Sequence, residues 1–412
     1  MDVRITYRIR TLFLSLLIFM GTLLLPQQSL AGFILEGNAR MVRIPVEIQN
    51  NIILLPVSIN GSFEMNFILD TGVRTTILTE PMVASFLALD SVRKVIIRGL
   101  GEGEAVEAAL ARNVNLRLPG VLGKGMPLVV LPPDLISYSG MFGKPVYGII
   151  GHAIFNQFVV KINYKQKYIE LHNPFKYKPK KRSTAIPIKL KKGKPYIEAT
   201  FRDQYGTKLT TDWLIDTGAS QALSLFDQDL QAPSPSLNTF LGKGLSGNVF
   251  GKLGRIESYE IADFRFDRVI AGYPDLSSLG SLNIDSWYGN MGAEIISRFV
   301  ITFDYFRGKI YLRKGQHFKK DFTYNMSGLE IIAKGSDYHD FFISYVRPGS
   351  PADGAGIKVG DQITSINTTY SRDLGLNDIY GILAGKPGSK LVMRVSRNGQ
   401  SMKKKFKLIS EL

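Results

Sequence analysis

The sequence predicts a mainly β protein with two β-barrel lobes that arose by duplication, followed by a smaller α+β domain. Three observations predict this fold. Three blocks of sequence recur in the same order, and short runs of β-branched and aromatic residues are separated by Gly, Pro and Asn. The repeat ends near Phe318, where a different pattern begins. At 412 residues the chain is long enough for two or three hydrophobic cores.

The first 31 residues have the features of a signal peptide. Arg4, Arg8 and Arg10 precede an uncharged, mostly apolar run over residues 11–25, and small residues provide a cleavage site after Ala31. We therefore expect an exported protein, periplasmic or secreted. The run is shorter than the roughly 20 residues of a membrane span, so no stable span is expected after cleavage. An uncleaved amino-terminal anchor is the alternative.

The chain is basic, with 51 Lys and Arg residues against 35 Asp and Glu, and a formal net charge of +16. Much of the excess lies in residues 176–194. We interpret residues 176–185 as a solvated basic linker between the lobes. Because the basic residues are not interleaved with a nucleic-acid-binding motif, no nucleic acid partner is expected. A contact with an anionic surface stays open.

The composition also excludes several chemistries. The chain has no cysteine, which removes thiol nucleophiles and thiolate metal sites. Its four histidines include no pair at the spacing of a zinc-binding helix, so neither a metal nor another cofactor is expected. No Gly-x-Ser-x-Gly segment occurs, which disfavours a serine hydrolase.

The repeated blocks define the two lobes. The aspartates of the first block are 146 residues apart, and the glycines of the second block are 141 residues apart. The matched blocks are 67–72 with 213–218, 147–151 with 288–292, and 158–164 with 299–305. Three matches in one order at nearly constant offset predict a duplicated unit. The lobes are expected over residues 32–175 and 186–315.

Each lobe is predicted to consist of short strands. The runs that favour strands are 52–59, 66–69, 95–98, 114–118 and 158–162 in the first lobe, and 196–201, 213–215, 255–261 and 299–303 in the second. Short helices are expected over 80–89 and 154–158, and no long helical period is present.

An Asp-Thr-Gly motif follows an apolar strand in each lobe, with the carboxyl groups of Asp70 and Asp216 at the strand ends. One copy alone is weak evidence, because these are ordinary turn residues. Two copies in a duplicated fold meet if the lobes pack about a twofold axis. Two carboxyl groups a few ångströms apart share a proton, so one can act as a general base on water while the other donates to a substrate carbonyl. A polypeptide substrate is expected.

Residues 44–313 resemble the retropepsin and pepsin clan of aspartic peptidases, particularly the bacterial retropepsin-like ones. Each lobe of that clan carries two apolar residues before Asp-Thr-Gly, and later two apolar residues before a glycine. The resemblance implies two retropepsin-like β-barrel lobes in a pseudo-twofold arrangement, with Asp70 and Asp216 as catalytic residues. It also implies supporting roles: Thr71 and Thr217 brace the turns formed with Gly72 and Gly218, and Gly151 and Gly292 pack behind them. Departures from the pattern are Val73, Arg74 and Asn290.

Such enzymes close flexible hairpins over the substrate. Two glycine-rich segments are candidates for these flaps, and their glycines are Gly99, Gly101 and Gly103 in the first lobe and Gly242, Gly244 and Gly247 in the second. Since glycine marks only a permissive backbone, an ordinary flexible loop is the alternative for each.

The carboxyl-terminal residues 316–412 resemble a bacterial PDZ domain, most clearly over residues 350–363. The resemblance implies a carboxylate-binding loop and strand at Gly328, Leu329 and Ile331, and a groove helix over 376–383. Residues 391–395 would close the sheet. Such a domain binds an extended peptide carboxyl terminus at a sheet edge. Packing of this domain on the lobes, without binding of free peptide, is the alternative.

These observations predict an exported aspartic endopeptidase whose PDZ domain recruits substrate. A catalytically idle peptide-binding module of the same fold is the alternative, motivated by Val73, Arg74 and Asn290. A dyad assembled between two chains is disfavoured, because one chain already supplies both halves.

Overall fold

The computed structural model describes residues 31–89, 92–97, 99–133, 135–227, 230–279 and 288–412. The signal peptide predicted for residues 1–31 lies outside this description, except for Ala31. Residues Gly32–Leu412 form one compact unit. Among the described residues, no helix is both long enough and apolar enough to cross a membrane.

The first repeat contains strands β1 to β12 and short helices α1 to α3. The strands are β1 (Gly32–Leu35), β2 (Met41–Pro45), β3 (Glu47–Gln49), β4 (Ile52–Ile59), β5 (Met65–Leu69), β6 (Thr76–Leu78), β7 (Arg93–Ile97), β8 (Val106–Leu118), β9 (Val121–Val130), β10 (Gly148–Ile150), β11 (Val159–Asn163) and β12 (Tyr168–His172). The helices are α1 (Pro81–Ala84), α2 (Ser139–Phe142) and α3 (His152–Phe155).

The second repeat contains strands β13 to β25 and helices α4 and α5. The strands are β13 (Thr184–Pro187), β14 (Lys189–Lys191), β15 (Lys194–Arg202), β16 (Lys208–Ile215), β17 (Leu223–Leu225), β18 (Ser236–Gly244), β19 (Gly247–Arg255), β20 (Ser258–Ile261), β21 (Phe264–Asp267), β22 (Ile270–Pro274), β23 (Gly289–Met291), β24 (Phe299–Asp304) and β25 (Lys309–Lys314). The helices are α4 (Leu276–Leu279) and α5 (Ala293–Ile296).

The two repeats have the same strand order around the Asp-Thr-Gly motif. In the first, β5 runs parallel to β10, which is antiparallel to β6, and β6 is parallel to β9. In the second, β16 runs parallel to β23, which is antiparallel to β17, and β17 is parallel to β22. The ring β9-β6-β10-β5-β4-β8 closes on itself through the pairing of β8 with β9, so the first lobe is a closed six-stranded barrel.

The corresponding ring of the second lobe is interrupted. The strand predicted over 255–261 is two strands, because β19 pairs with β22 whereas β20 pairs with β15 and β21. The chain changes partners at Ile256, whose N–H donates to the carbonyl of Val269. In the first lobe the single strand β8 pairs with both β4 and β9, and shifts in its register with β9 accompany this double pairing.

A six-stranded sheet of order β13-β25-β24-β11-β12-β2 joins the two repeats. At its centre β11 pairs antiparallel with β24, which is its own equivalent in the repeat. Lys161 lies opposite Thr302, the residue 141 positions later. A residue that pairs with its own equivalent lies on a local twofold axis. The lobes are therefore held together by main-chain hydrogen bonds as well as by side-chain packing.

The carboxyl-terminal domain is a smaller α+β unit, and a mainly β fold followed by such a unit confirms the predicted fold class. Its sheet has the order β26-β27-β28-β30-β31, with β29 paired to β28. Its elements are β26 (Leu329–Lys334), β27 (Asp340–Val346), α6 (Pro351–Gly354), β28 (Gln362–Ile366), β29 (Thr369–Tyr370), α7 (Leu376–Leu383), β30 (Lys390–Arg397) and β31 (Gln400–Lys407). The helix predicted over 376–383 has these bounds.

The two helices predicted in the first lobe are shorter than or displaced from their predicted positions. The helix expected over 80–89 is only α1, because the bonds that follow it are of the tighter i→i−3 type and Ala88 has a φ of 44°. The helix expected over 154–158 is α3, which begins two residues earlier at His152, directly after Gly151.

Candidate active site

The two Asp-Thr-Gly turns have the same main-chain frame. The N–H of Asp70 donates to the carbonyl of Ile150 at 2.9 Å, and the N–H of Asp216 donates to that of Met291 at 2.9 Å. Each aspartate then accepts at Oδ1 from the glycine two residues later, at 2.6 Å from Gly72 N and 3.0 Å from Gly218 N. The tight turn thus directs a main-chain donor at each carboxyl group.

Thr71 and Thr217 join the two turns by reciprocal hydrogen bonds. The hydroxyl of Thr71 donates to the carbonyl of Ile215 at 2.6 Å, and that of Thr217 donates to the carbonyl of Leu69 at 2.8 Å. Each hydroxyl also accepts from the other threonine's N–H, at 3.0 and 3.1 Å. Both side chains are buried. Four bonds therefore place the two motifs face to face.

The carboxyl group of Asp70 lies against the turn that carries Asp216. A Cβ added at Gly218 would lie 2.4 Å from Asp70 Cγ, and one added at Gly72 would lie 3.0 Å from Asp70 Oδ1 and 3.8 Å from Asp216 Oδ1. Only glycine leaves this space for the carboxyl groups. The structure thus brings together the two aspartates, the two threonines and the two turn glycines.

Gly151 and Gly292 lie directly behind the turns. A Cβ at Gly151 would lie 1.7 Å from the carbonyl oxygen of Asp70. A Cβ at Gly292 would lie 2.1 Å from that of Gln221 and 2.9 Å from that of Ala219. Close main-chain approach requires glycine at both positions, although the partner of Gly292 lies further along its turn.

Burial and mutual repulsion change the ionisation of the pair. Desolvation, followed by the charge of Asp216, raises the pKa of Asp70 to about 7. Desolvation also raises the pKa of Asp216, although the N–H groups of Gly218 and Ala219 and the ammonium of Lys194 act in the opposite sense. Both side chains keep partial solvent access. The pair therefore keeps a proton at a higher pH than two separate, exposed aspartates would.

The three departures from the family pattern do not obstruct the turns. Arg74 is exposed, and Val73 donates to the carbonyl of Asp70 at 3.3 Å. Asn290, on β23, donates from Nδ2 to Asp216 Oδ2 at 2.8 Å. Sequence reasoning treated Asn290 only as a departure, because its contact with the carboxyl group depends on the pairing of β23 with β16.

The two glycine-rich hairpins meet at their tips. Gly103 N donates to the carbonyl of Ser246 at 2.7 Å, and Ser246 N donates to that of Leu100 at 2.9 Å. Glu102 N donates to the carbonyl of Asn248 at 3.2 Å. The β7–β8 hairpin and the β18–β19 hairpin are thus joined by main-chain bonds. Ser246 lies within the second predicted flap segment, residues 242–254, but the sequence gives no signal for its bonds to the first hairpin.

Most of the predicted flap glycines are explained by this contact. An added Cβ would lie 2.2–2.5 Å from an atom of the other hairpin at four of them: Gly99, Gly101, Gly103 and Gly244. Gly242 and Gly247 have φ values of 145° and 123°, which L side chains rarely adopt. Leu245 at the second tip belongs to the same apolar cluster as Val73, next to the first motif. One apolar cluster therefore connects the joined hairpins with the first Asp-Thr-Gly turn.

The edge of β26, where a PDZ domain adds a peptide strand, is bonded within the chain. Leu329 N donates to Ser327 Oγ at 3.2 Å, and Leu329 O accepts from Asn325 Nδ2 at 2.5 Å. Ile331 N donates to the hydroxyl of Tyr380 at 3.1 Å, and that hydroxyl lies 3.3 Å from Ile331 O. The predicted peptide-binding positions are therefore at the edge, and their main-chain groups have internal partners.

The same groove faces the first lobe. Helix α2 packs on β26, where a Cβ at Gly140 would lie 2.9 Å from the carbonyl oxygen of Ala333. A Cβ at Gly143 would lie 3.0 Å from Leu376 Cβ of α7. Gly328, with a φ of 79°, packs against Ser350 on the opposite side of the loop. Residues 140–143 of the first lobe thus lie between the strand and the helix of the groove.

Comparison with known proteins assigns both domain types. Residues 55–153 match the aspartyl protease family model, and residues 342–397 match the model of a PDZ domain. The chain therefore carries a protease domain and a PDZ domain. The protease match covers the first repeat, from β4 through Asp70 to Gly151.

Two curated proteins are similar over short segments. The carboxy-terminal processing protease CtpA of Bacillus subtilis is 27% identical over 86 residues, which cover 21% of this chain and 18% of that protein. A Lactococcus lactis protein named as a zinc metalloprotease is 39% identical over 59 residues, covering 14% of this chain and 13% of that protein. The chain spans less than a fifth of either relative. Among solved structures, a photosystem II D1 C-terminal processing protease is 26% identical with a TM-score of 0.20, over 21% of this chain and 23% of that chain.

Proposed function

We propose that the protein is an exported aspartic endopeptidase in which Asp70 and Asp216 activate one water molecule. The observation that carries the proposal is the reciprocal bonding of Thr71 and Thr217, which sets the two carboxyl groups face to face. The raised pKa of Asp70 supports it, because a dyad needs one proton at working pH. The aspartyl protease match of residues 55–153 agrees in class.

The proposed reaction needs only the dyad and water. The ionised carboxyl group takes a proton from water as its oxygen attacks the peptide carbonyl carbon, and the protonated carboxyl group gives its proton to the carbonyl oxygen. The carboxyl group that took the proton of water then gives it to the nitrogen as the C–N bond breaks, and a hydroxyl group of the tetrahedral intermediate returns a proton to the other carboxylate. A carboxylic acid and an amine leave, and the dyad again holds one proton. The joined hairpins must separate to admit an extended substrate.

The test is cleavage of a denatured protein by the purified chain across a range of pH. Asp70→Asn and Asp216→Asn should each lower the rate by at least ~10³-fold, because neither variant retains both the base and the acid. Asp212→Asn is the matched control, since Asp212 lies four residues before Asp216 and pairs with Lys189 and Lys191 outside the site. Unchanged cleavage by both dyad variants, with folding intact, would refute the dyad.

A catalytically idle peptide-binding module is the second candidate, and the site disfavours it. Its motivation was the departures at Val73, Arg74 and Asn290. Arg74 is exposed and Asn290 donates to a dyad carboxyl group, so neither removes a group that the reaction needs. Tight binding of peptide without turnover at any pH would favour the idle module.

We propose that the PDZ domain recruits a substrate carboxyl terminus by displacing the hydroxyl of Tyr380 from Ile331 and residues 140–143 from the groove. Tyr380→Phe should strengthen binding of a fluorescent decapeptide with a free carboxylate about fivefold, because the N–H of Ile331 then lacks an internal partner. The same peptide with a terminal amide is the control. Equal binding of acid and amide, or no change in the variant, would contradict carboxylate capture.

Export rests on the predicted signal peptide alone. Amino-terminal sequencing of the chain produced with its first 31 residues should begin at Gly32, the residue after the predicted cleavage site. A chain that retains residues 1–31 would instead support the uncleaved anchor.

A further inference from the structure

Asn290 and Ile149 occupy equivalent positions behind the two carboxyl groups, and they differ in chemistry. Ile149 pairs with Ile68 of β5, and Asn290 pairs with Leu214 of β16. Both side chains are 4% exposed. Asn290 Nδ2 donates to Asp216 Oδ2 at 2.8 Å, whereas Ile149 has no group that can donate to Asp70.

The amide of Asn290 is not explained by packing. Its Oδ1 is buried and accepts no hydrogen bond from any residue that the structure describes. A buried acceptor without a partner destabilises a fold, and an apolar residue of similar shape avoids that cost. The first lobe has such a residue at this position. Local departures from good packing are expected at functional sites.

We propose that Asn290 is a positioning residue that keeps Asp216 as the ionised member of the dyad and leaves the shared proton on Asp70. The inference rests on the proposed aspartic peptidase function and names the role of each carboxyl group. An ionised carboxyl group only accepts hydrogen bonds, so a buried N–H donor directed at Oδ2 favours the charged form.

The main-chain donors add to the same difference, because the N–H groups of Gly218 and Ala219 both donate to Asp216, whereas the main-chain donor to Asp70 is Gly72. Asp216 receives Gly218 N at Oδ1 and Asn290 Nδ2 at Oδ2, so both of its oxygens are bonded. Asp70 receives Gly72 N at Oδ1, and its Oδ2 faces Gly218. The proton is therefore held better by Asp70, which donates it to the substrate carbonyl, while Asp216 takes the proton of water.

The other titratable groups that act on the dyad do not produce this difference. The ammonium of Lys194 favours the charged form of both aspartates. Tyr138 and Tyr305 act on Asp70, and Tyr196 acts on Asp216. Desolvation raises the pKa of each of the three tyrosines, so they stay neutral throughout the range in which the dyad titrates.

The test is the pH dependence of kcat/KM for Asn290→Leu, which has a similar shape and no donor. The acid limb should move to higher pH by at least about one unit, because the first ionisation of the dyad loses its donor. The alkaline limb should stay in place, because Asn290 bonds Asp216 in both the singly and the doubly ionised dyad. An unmoved acid limb would overturn the inference, even if the rate fell.

A second variant moves the donor to the other lobe. Adding Ile149→Asn to Asn290→Leu gives Asp70 the donor, and the acid limb should return to within about 0.3 unit of the wild-type position, since one carboxyl group is again stabilised in its charged form. An acid limb that stays shifted in this folded double variant would contradict the proposed role of the side-chain donor.

Thermal unfolding separates failure of this inference from failure of the proposed function. At pH 4 Asn290→Leu should unfold at the same or a higher temperature than wild type, because the unpaired Oδ1 is gone. Between pH 4 and pH 8 its melting temperature should fall more steeply, because ionised Asp216 lacks its donor. An equal loss at every pH would show a merely structural role. Absence of cleavage by the wild type would refute the peptidase but leave this measurement valid.

Discussion

The two Asp-Thr-Gly turns share one main-chain frame and differ in what lies behind each carboxyl group. Behind Asp70 the neighbouring strands contribute Ile77 and Ile149, which are paired across β6 and β10. At the equivalent positions behind Asp216, strands β17 and β23 contribute Ser224 and Asn290, which are paired with each other. All four side chains are buried. The frame is therefore symmetrical and its surroundings are not.

This difference shows which parts of a duplicated site must stay alike. Reciprocal bonding between the turns works only if both copies keep the threonine and the glycines, because each turn is the other's partner. The residues behind the carboxyl groups form no hydrogen bonds with their equivalents in the other lobe, so they can differ between the lobes. Each set can then favour a different ionisation state of its own aspartate. A dyad with one acid and one base is thus compatible with a duplicated frame.

The largest effect is expected from breaking the symmetrical frame. Thr71→Val removes the hydroxyl that bonds Thr217 N and Ile215 O. Thr217→Val removes the hydroxyl that bonds Thr71 N and Leu69 O. Each variant should lose about 4 kcal/mol of unfolding free energy, since each orphans two buried groups. Chemical denaturation measures both.

The two threonine variants should agree within about 0.5 kcal/mol if the frame is equivalent in the two lobes. Thr200→Val is the control, because the bond between Thr200 and Thr210 is exposed and its loss should have little effect. A difference above ~1 kcal/mol between the two core variants would show that the turns are not equivalent.

A smaller effect is expected from the ionisation of Asp70. Its folded-state pKa of about 7 lies above the ordinary value of 3.8, so its contribution to stability is full below about pH 4 and is lost as pH rises through 7. Asp70→Asn removes this loss and should raise the unfolding free energy at pH 8 by roughly 2 kcal/mol, with little change at pH 3.5.

Two other buried carboxyl groups also make the unfolding free energy depend on pH. Desolvation also raises the pKa values of Glu294 and Glu330 to about 7, so Asp70→Asn should flatten only part of the dependence. Glu330→Gln should flatten another part without changing the acid limb of catalysis. If Asp70→Asn and wild type are equally stable at pH 8, the pKa of Asp70 is not raised in the folded protein.

The sequence predicted the motifs and their duplication because both are local patterns. Strand β4 has the bounds that were predicted for it, since its apolar residues run between clear turn signals. The break at Ile256 was not predictable, because the run over 255–261 has uniform strand propensity and only the distant partners β15 and β22 divide it. The sheet between the lobes depends on equally distant pairings.

The resemblance to a PDZ domain proposed Gly328, Leu329 and Ile331 as peptide-binding residues, but it gave no sign of the internal partners that their strand has. That Tyr380 bonds Ile331 depends on the approach of α7 to β26, and that Gly140 covers Ala333 depends on the docking of two domains. No local pattern encodes such contacts, since each joins residues that are far apart in the chain.

The smallest effect is expected from Ser224, the other polar residue behind Asp216. Its hydroxyl accepts from Gln221 Nε2 at 2.6 Å, so Ser224→Ala should lower the unfolding free energy by about 1 kcal/mol. The acid limb of kcat/KM should move by less than about 0.2 unit, because the donor to Asp216 Oδ2 is Asn290. A shift as large as that of Asn290→Leu would mean that the general polarity behind Asp216, and not the single bond from Asn290, distinguishes the two lobes.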